Sequence, residues 1–220
     1  MDTARAITVR DLGKTDYLEV LAIQRACQAA RADGEAPDTL LLTEHEPVLT
    51  LGRSHPEPDL RQPMAAVEAA GISIVQTERG GDITYHGPGQ LVVYGVIDLK
   101  AWGIGAVDYV TGLEEAAIHL LGAWGIGARR VSKARGAWVG NRKIASVGVN
   151  VRRHVTMHGI AINLAPNMEH FALINPCGLA GVEMTSVLRE TGRAVGISDA
   201  GAAFVQEFEA VFDCSAAIRT

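Results

Sequence analysis

Residues 79–99 read RGGDITYHGPGQLVVYGVIDL, a glycine-rich segment that runs directly into an apolar one. The first part combines four glycines and Pro88 with hydrogen-bonding side chains, among them Arg79, Tyr85 and His86. It lacks the G-x-x-x-x-G-K-[ST] pattern and leads into a predicted strand instead of a helix, which argues against the common nucleotide-binding loops. Glycine lets the backbone approach a ligand closely. A ligand-binding wall and a tight connection between strands are both open interpretations of this segment.

The rest of the chain predicts a mixture of helices and strands. Apolar residues at helical spacing predict helices over residues 16–32 and 107–124, and shorter patterns predict helices over 63–70 and roughly 199–212. Extended segments are predicted at 39–52, 72–77, 91–99, 136–140, 143–151 and 158–164. The strands do not alternate regularly with helices. We therefore predict an α+β fold, a mostly antiparallel sheet flanked by helices, in one domain over residues 1–220.

Composition and charge limit the classes of function. The chain has 220 residues, is 48% hydrophobic and carries a formal net charge of -5. A whole-protein nucleic-acid binder is usually strongly basic, so we expect no nucleic-acid partner. No secretory signal or membrane-spanning run is evident, which predicts no membrane association. The three cysteines, Cys27, Cys177 and Cys214, form neither a disulfide framework nor a C-x-x-C pair, and a reducing cytoplasm is the simplest compartment.

Two residue types could carry covalent chemistry. Cys177 lies in NPCG at 175–178, between a proline and a glycine, where a thiolate stabilised by a neighbouring cation would be a nucleophile. A buried structural cysteine is the alternative. Lys143, in VGNRKIASVG, follows a predicted turn and could exchange a proton with such a thiol, although most lysines are solvated surface charges.

His154 and His158 are four residues apart on predicted strands without the H-E-x-x-H pattern, so we expect no metal.

Taken together, these segments resemble the lipoate-biosynthesis octanoyltransferases. The resemblance begins at LGKTDYLEV, passes through LLTEHEPVLTLGR, RGGDITYHGPGQLVVYGVIDL and GAWVGNRKIASVGVNVRRHVTMHGIAINL, and ends near INPCGLAGVEMTSV. It covers almost the whole chain in order. Two departures are mild: Leu173 stands where the family often has arginine, which leaves a polar contact near Cys177 in doubt, and Ile160 stands where leucine is usual.

The resemblance implies a fold similar to the catalytic domains of biotin and lipoate protein ligases. It implies that Cys177 forms an octanoyl thioester and that Lys143 is its catalytic partner, with no cofactor. The donor would be octanoyl-acyl carrier protein, and the acceptors would be lipoyl domains of 2-oxoacid dehydrogenase complexes and the glycine cleavage H protein. The substrate-binding residues it implies are Arg79, Gly80, Gly81, Asp82, Ile83, Thr84, Tyr85, His86, Ser146, Val147, Gly148, His158, Gly159 and Ile160.

Three alternatives remain open at this point: an ATP-dependent lipoate-protein ligase, an acyl-thioester hydrolase and a non-catalytic acyl-binding module. Acyl carrier proteins and lipoyl domains are typically acidic, and this chain is net negative. A local basic cluster formed by Arg129, Arg130, Lys133 and Arg135 would resolve that conflict by steering an acidic donor.

Overall fold

The computed structural model describes residues 5–53, 59–132, 134–175 and 182–219, which form two β-sheets and several helices. The strands are β1 (Arg5–Thr15), β2 (Asp38–His45), β3 (Val48–Leu51), β4 (Ser73–Gln76), β5 (Thr84–His86), β6 (Gln90–Val96), β7 (Arg129–Val131), β8 (Ala134–Val139), β9 (Arg142–Arg152), β10 (Val155–Asn163), β11 (Glu183–Met184) and β12 (Cys214–Arg219). The helices are α1 (Tyr17–Ala32), α2 (Met64–Ala69), α3 (Leu99–Trp102), α4 (Ala106–Ala123), α5 (Val187–Thr191) and α6 (Ile197–Phe212), and a 3₁₀-helix spans Met168–Leu173.

The larger sheet confirms the prediction of a mostly antiparallel α+β fold. Its strands lie in the order β12-β1-β2-β6-β10-β9-β8-β7, and β11 pairs with β9. The pairs from β2 through β6, β10, β9 and β8 to β7 are antiparallel. The pairs that β1 forms with β2 and with β12 are parallel, as is the short pair of β11 with β9.

Both faces of this sheet are buried. Successive side chains of a strand point to opposite faces. Leu40 and Val93 accordingly pack into the core beneath α4 and α6, whereas Leu41, Val92 and Tyr94 pack into a second core with residues of α1. Burial on both faces explains why β2 and β6 read as continuous apolar runs.

A smaller sheet, in the order β4-β3-β5, supports the glycine-rich segment. The predicted extended stretch 39–52 is in fact two strands in two sheets, because the chain leaves the larger sheet after His45 and re-enters a strand at Val48. Pro47 lies between them and has no N–H to donate to a sheet ladder. β5 places part of the glycine-rich segment, Thr84–His86, against β3.

The predicted helices are present, with small shifts in their ends. α1 begins after Asp16, whose carboxylate accepts hydrogen bonds from the N–H groups of Leu18 and Glu19 at 2.8 and 3.2 Å. The last helix begins at Ile197. The predicted strand over 91–99 is wrong at its end: β6 stops at Val96, and Asp98 caps α3 by accepting from the Ala101 N–H.

The outer strands β1 and β12 had no counterpart in the sequence-based prediction. They pair in parallel from Arg5 with Cys214 onwards. Among the described residues, no helix combines the length and the hydrophobicity that a membrane span requires.

Candidate active site

A cavity of about 220 Å³ lies between the larger sheet and the glycine-rich segment. Its wall is built from β5, β6, β8, β9 and β10, from residues 79–83, and from the first residue of α1. The residues around it are Tyr17, Arg79, Gly80, Gly81, Asp82, Ile83, Thr84, His86, Val92, Tyr94, Ala134, Arg135, Lys143, Ser146, Val147, Gly148, His158, Gly159, Ile160 and Ala161. Every residue expected to bind substrate, except Tyr85, therefore lies around one cavity together with Lys143.

Arg79 holds the glycine-rich segment against the smaller sheet. Its side chain is buried, and Nη2 donates to the carbonyl and the Oγ1 of Thr50 at 2.5 and 2.9 Å. Nε donates to the same Oγ1 at 3.2 Å. A guanidinium that makes several bonds to one residue is a rigid brace. Arg79 thus fixes the position of the cavity wall through β3.

Glycines let this wall approach the sheet closely. A Cβ on Gly148 of β9 would lie 2.9 Å from the carbonyl oxygen of Gly80, closer than unbonded atoms allow. On the neighbouring strand β10, a Cβ on Gly159 would lie 2.1 Å from the carbonyl oxygen of Val93 in β6, so this glycine lets two strands of the sheet itself lie close together. The two glycines pair with each other across β9 and β10. They leave a strip of bare backbone at the cavity.

Lys143 is buried at the cavity wall, with 3% of its surface exposed. Its Nζ lies 5.5 Å from the centroid of the Trp138 ring, within the range of a cation–π contact. Its backbone pairs with Met184 of β11, and its carbonyl accepts a hydrogen bond from the Thr185 N–H at 2.9 Å. Its backbone also pairs with Trp138 of β8, so Lys143 is buried and held between two strands, unlike an ordinary surface lysine.

Cys177 lies outside the described residues, but the chain before it is anchored. Asn175 Oδ1 accepts from Arg61 Nε at 2.5 Å, and Asn175 Nδ2 donates to Asp59 Oδ1 at 2.7 Å. The Arg61 N–H also donates to the carbonyl of Leu173. The Leu173 side chain packs against the core of the smaller sheet and makes no polar contact of the kind that an arginine there would make. Arg61, from another part of the chain, supplies a polar contact to Asn175.

A chain of buried hydrogen bonds links the glycine-rich segment to the residues beside Lys143. His86 Nδ1–H donates to Gln90 Oε1 at 2.7 Å, and Gln90 Nε2 donates to Asn163 Oδ1 at 2.9 Å. Asn163 Nδ2 then donates to the carbonyl of Thr185 at 3.0 Å. Each side chain in this series donates a hydrogen bond to the next group, and a buried network whose polar groups are bonded in this way is rigid. Displacing His86 would therefore disturb the backbone next to Lys143.

Burial keeps the histidines near the cavity uncharged. It lowers the pKa of His86 to about 3 and the pKa values of His45 and His158 to about 4, because a charged imidazole would lose its hydration there. His45 Nε2 lies 2.8 Å from the Tyr94 hydroxyl. At neutral pH the cavity therefore presents neutral imidazole and phenol groups beside its apolar residues.

His158 has an unusual backbone for a strand residue. Its φ of 63° is in the left-handed region, which interrupts the alternation of β10. Its N–H donates to Gln24 Oε1 of α1 at 2.9 Å. Neither ring nitrogen of His158 has a hydrogen-bond partner among the described residues, and the same holds for Gln24 Nε2. Within the described ranges no three His, Cys, Asp or Glu side chains are close enough to hold a metal ion.

Tyr85, which was expected to bind substrate, does not line this cavity. Tyr85 is buried, but its ring lies in the core of the smaller sheet, edge-to-face with Phe171 at 5.2 Å. Its hydroxyl lies 2.8 Å from His170 Nδ1. Thr84 and His86 line the cavity, and the residue between them in β5 points to the opposite side.

The expected basic cluster is largely paired with acids of α4. Arg130 bonds Glu115, and Arg135 Nη1 bonds the buried Glu114 Oε2 at 3.1 Å. Arg129 Nη2 donates to the carbonyl of Gly140. Lys133 lies outside the described residues. The cluster therefore contributes less uncompensated charge than its sequence suggests.

Sequence reasoning missed several cavity residues that lie in regular elements. Tyr17 is the first residue of α1, Tyr94 and Val92 lie on β6, and Ala161 lies on β10. All four share one core cluster. The alternation of β6 placed Val92 and Tyr94 on one face, but nothing local indicates that this face lines a cavity.

Comparisons with known proteins agree with this arrangement. The sequence profile of the lipoyl protein ligase A/B catalytic domain matches residues 16–209. An octanoyltransferase of Syntrophobacter fumaroxidans is 48% identical over 189 residues, which cover 86% of this chain and 83% of the relative. An octanoyltransferase of Solibacter usitatus is 43% identical over 209 residues, covering 95% and 94%. Among solved structures, a T. acidophilum protein described as a lipoate protein ligase with bound lipoic acid superposes on this chain with a TM-score of 0.71. The two sequences are 15% identical, and the match covers 97% of this chain and 88% of that chain. This last likeness concerns the fold, and it confirms the expected similarity to ligase catalytic domains.

Proposed function

Because the chain belongs to the octanoyltransferases with a lipoyl protein ligase A/B catalytic domain, we propose that Cys177 carries the octanoyl group as a thioester and that Lys143 is its proton-transfer partner. The protein is an acyltransferase that moves octanoyl groups in protein lipoylation, from an acyl donor to lipoyl-domain acceptors. We further propose octanoyl-acyl carrier protein as the donor. The proposed acceptors are lipoyl domains of 2-oxoacid dehydrogenase complexes and the glycine cleavage H protein.

The observation that carries this proposal is the position of Lys143. It is buried at the wall of a cavity whose other lining residues are mostly apolar or neutral. Its own backbone bonds Thr185, and the anchored Asn175 lies two positions before Cys177. The chain on one side of Cys177 is thus joined to the strand of Lys143, and the chain on the other side is fixed by Asp59 and Arg61.

The proposed reaction has two acyl transfers. In the first, Cys177 gives its proton to Lys143 and its thiolate attacks the carbonyl carbon of the donor thioester. A new carbon–sulfur bond forms, the bond to the donor sulfur breaks, and that sulfur takes the proton from Lys143. In the second, the acceptor lysine amine attacks the enzyme thioester and gives a proton to Lys143, which returns it to the departing Cys177 sulfur. An amide is more stable than a thioester, so no ATP is required.

The cavity provides the binding free energy for the acyl chain. Ser146 and Gly148 face it from β9, while Val92 and Ala161 face it from β6 and β10. Each buried methylene contributes about 0.8 kcal/mol, so the apolar part of the wall can supply much of the selectivity for the donor. Arg79 acts by holding this wall in place.

Intact-mass measurement without ATP tests the proposal. The protein is mixed with octanoyl-acyl carrier protein, and an apo lipoyl domain is added afterwards. We expect a hydroxylamine-labile octanoyl adduct on the wild type that passes to the lipoyl domain. Cys177→Ala should form no adduct. An adduct that persists in Cys177→Ala, or transfer that requires ATP, would overturn the mechanism and favour a ligase.

The role of Lys143 needs its own variant. Lys143→Met keeps an unbranched buried side chain and removes the amine, so we expect both acyl transfers to slow by about 10²- to 10⁴-fold, the usual contribution of a positioned proton-transfer group. Lys100→Met, the same substitution at an exposed lysine of α3 that does not line the cavity, is the matched control and should retain near-wild-type rates. Equal rates for Lys143→Met and the wild type would remove Lys143 from the mechanism. Free octanoate in place of the protein adduct would indicate a hydrolase.

A further inference from the structure

Lys143 faces the cavity because β9 carries one extra residue beside it. Two successive residues of β8 pair with Ala145 and Lys143, which leaves Ile144 as the extra residue of a β-bulge. Ile144 and Ala145 are consecutive, yet both pack into the core beneath α4. In a regular strand, residues three positions apart point to opposite faces, whereas Lys143 and Ser146 both line the cavity. The bulge therefore turns the Lys143 side chain to the cavity face.

The neighbouring strand β8 is irregular at the same place. Between its two pairs with β7, residues 135–137 of β8 stand opposite Arg130 alone. Gly136 lies in the middle of this stretch with a φ of 121°, and a Cβ there would lie 2.8 Å from Lys143 Cε. Arg135 lines the cavity. The irregular stretch of β8 is therefore part of the cavity wall and also the surface against which the Lys143 side chain packs.

Glu114 of α4 holds this stretch in place. The residue is only 1% exposed. Its Oε1 accepts the Gly136 N–H at 2.7 Å, and its Oε2 accepts a hydrogen bond from Arg135 Nη1 at 3.1 Å. A glutamate is almost never fully buried unless it is paired, and both partners here are consecutive residues of the irregular stretch. Glu114 thus bonds a backbone group of β8 where the pairing with β7 is interrupted.

We propose that Glu114 is a positioning residue for acyl transfer, because its bonds to β8 fix the surface against which Lys143 packs and so set the place of Lys143 Nζ in the cavity. The inference rests on the proposed function, in which Lys143 moves a proton to and from Cys177. A misplacement of about 1 Å can slow a reaction by about 10²-fold. Glu114 itself does not line the cavity, so it acts through β8 and not on the substrate.

Three substitutions of Glu114 test this role in single-turnover transfer. Glu114→Met removes both acceptors at similar length, so both acyl transfers should slow by about 10- to 10²-fold, with unchanged affinity for the donor. Glu114→Gln keeps a carbonyl oxygen for the Gly136 N–H and should retain most of the rate. Glu114→Asp keeps the charge but is one methylene shorter, so it should resemble Glu114→Met. A role of the charge alone predicts the reverse order for Glu114→Gln and Glu114→Asp.

Combination with Lys143→Met separates positioning from a general structural role. If Glu114 acts through Lys143, adding Glu114→Met to Lys143→Met should leave the remaining transfer rate unchanged. A substitution that only destabilises the fold would slow transfer in both backgrounds.

Glu209→Met is the matched control. Glu209 lies on α6 and accepts the Ala216 N–H of β12 at 2.5 Å, so it too joins a helix to a strand, but at the opposite edge of the larger sheet. The substitution should lower stability and leave the transfer rate of the folded protein unchanged.

Urea unfolding gives the folded fraction of each variant, so that rates are compared per folded molecule. Wild-type rates in Glu114→Met and Glu114→Asp, or an equal loss in the Lys143→Met background, would overturn the inference, while slow transfer by Lys143→Met alone leaves the proposed function intact. Wild-type rates in Lys143→Met would instead reject the proposed role of Lys143 and this inference with it. If Glu114→Met does not fold, Glu114→Asp in the same two backgrounds decides the question.

Discussion

The main-chain N–H of Gly80 donates a hydrogen bond to the carbonyl of Val149 at 2.9 Å. This bond joins the glycine-rich segment directly to β9, across a contact so close that Gly148 cannot carry a side chain without moving it. Gly148→Ala should therefore displace the segment, lower the free energy of unfolding by about 1–3 kcal/mol and reduce octanoyl transfer. Chemical denaturation and a transfer assay would measure the two effects.

Gly122→Ala is the matched control for that substitution. Gly122 lies in α4, and a Cβ there would meet nothing within 4 Å. Alanine in an open helical position should raise the free energy of unfolding by up to about 1 kcal/mol and leave the transfer rate unchanged. If Gly148→Ala behaved like Gly122→Ala, the close contact with Gly80 would have no functional importance.

Arg79 should stabilise the cavity wall through Thr50. Arg79→Lys keeps the positive charge but cannot reproduce the bonds to the Thr50 carbonyl and hydroxyl, so we expect a loss of about 2–3 kcal/mol of folding free energy and slower transfer. Thr50→Val removes only the hydroxyl acceptor and should cost less. In a double-mutant cycle the two changes should be non-additive. Additive costs would show that Arg79 stabilises the protein by other contacts.

Stability should fall as the solution becomes mildly acidic. The pKa of His45 is about 4 in the folded protein, against 6.5 for the free group, because burial disfavours the charged ring, and the pKa values of His86 and His158 are lowered for the same reason. Below pH 6.5 the unfolded chain binds more protons than the folded one, so the stability present above that pH is lost as the pH falls towards 4. Each histidine contributes a slope of about 1.4 kcal/mol per pH unit.

Urea unfolding between pH 7 and 4.5 would measure this dependence. His45→Asn removes one of the three groups and should reduce the slope, even though it also loses the contact with the Tyr94 hydroxyl. A stability that stays constant from pH 7 to 5 would contradict the burial of these imidazoles in neutral form.

The basic residues before β8 should affect the rate of encounter with an acidic donor. Reversal of Arg129 and Arg130 to glutamate should slow transfer at low ionic strength, and the difference should shrink as salt screens the charges. Because Glu115 neutralises Arg130, Glu115→Gln should have the opposite effect and speed transfer at low salt. Arg152→Glu, an exposed change on the far part of β9, is a control for net charge. Identical salt dependence in all variants would rule out steering by this cluster.

Local sequence patterns were sufficient to predict much of the fold. The apolar spacing of α1 and α4 predicted both helices, because a helix that covers a sheet repeats its buried residues every three or four positions. The outer strands β1 and β12 were missed because their pairing joins residues as far apart as Arg5 and Cys214. Such a pairing has no signal within a short window of sequence.

The residues of the site could be predicted where they lie in motifs of the family, and less well where they lie in regular helices and strands. Gly148 and Gly159 were expected at the site because they lie in segments that resemble the family, and in the structure both make contacts too close for a Cβ. Tyr17 of α1 was not expected there, since an aromatic residue on a helix says nothing about the cavity opposite to it. Tyr85 was misplaced because the segment was interpreted as a loop; in a strand, its neighbours Thr84 and His86 must face the other way.

The parallel pairing of β1 with β12 also governs when the molecule can finish folding. β1 is synthesised before β12, so the edge of β1 that pairs with residues 214–219 has no partner strand until those residues are made. Until those residues are synthesised, that edge offers unpaired N–H and C=O groups to other chains. The nascent chain can therefore aggregate through this edge until β12 is made, and substitutions that weaken β12 should lower the soluble yield in cells more than they change the rate of the purified enzyme.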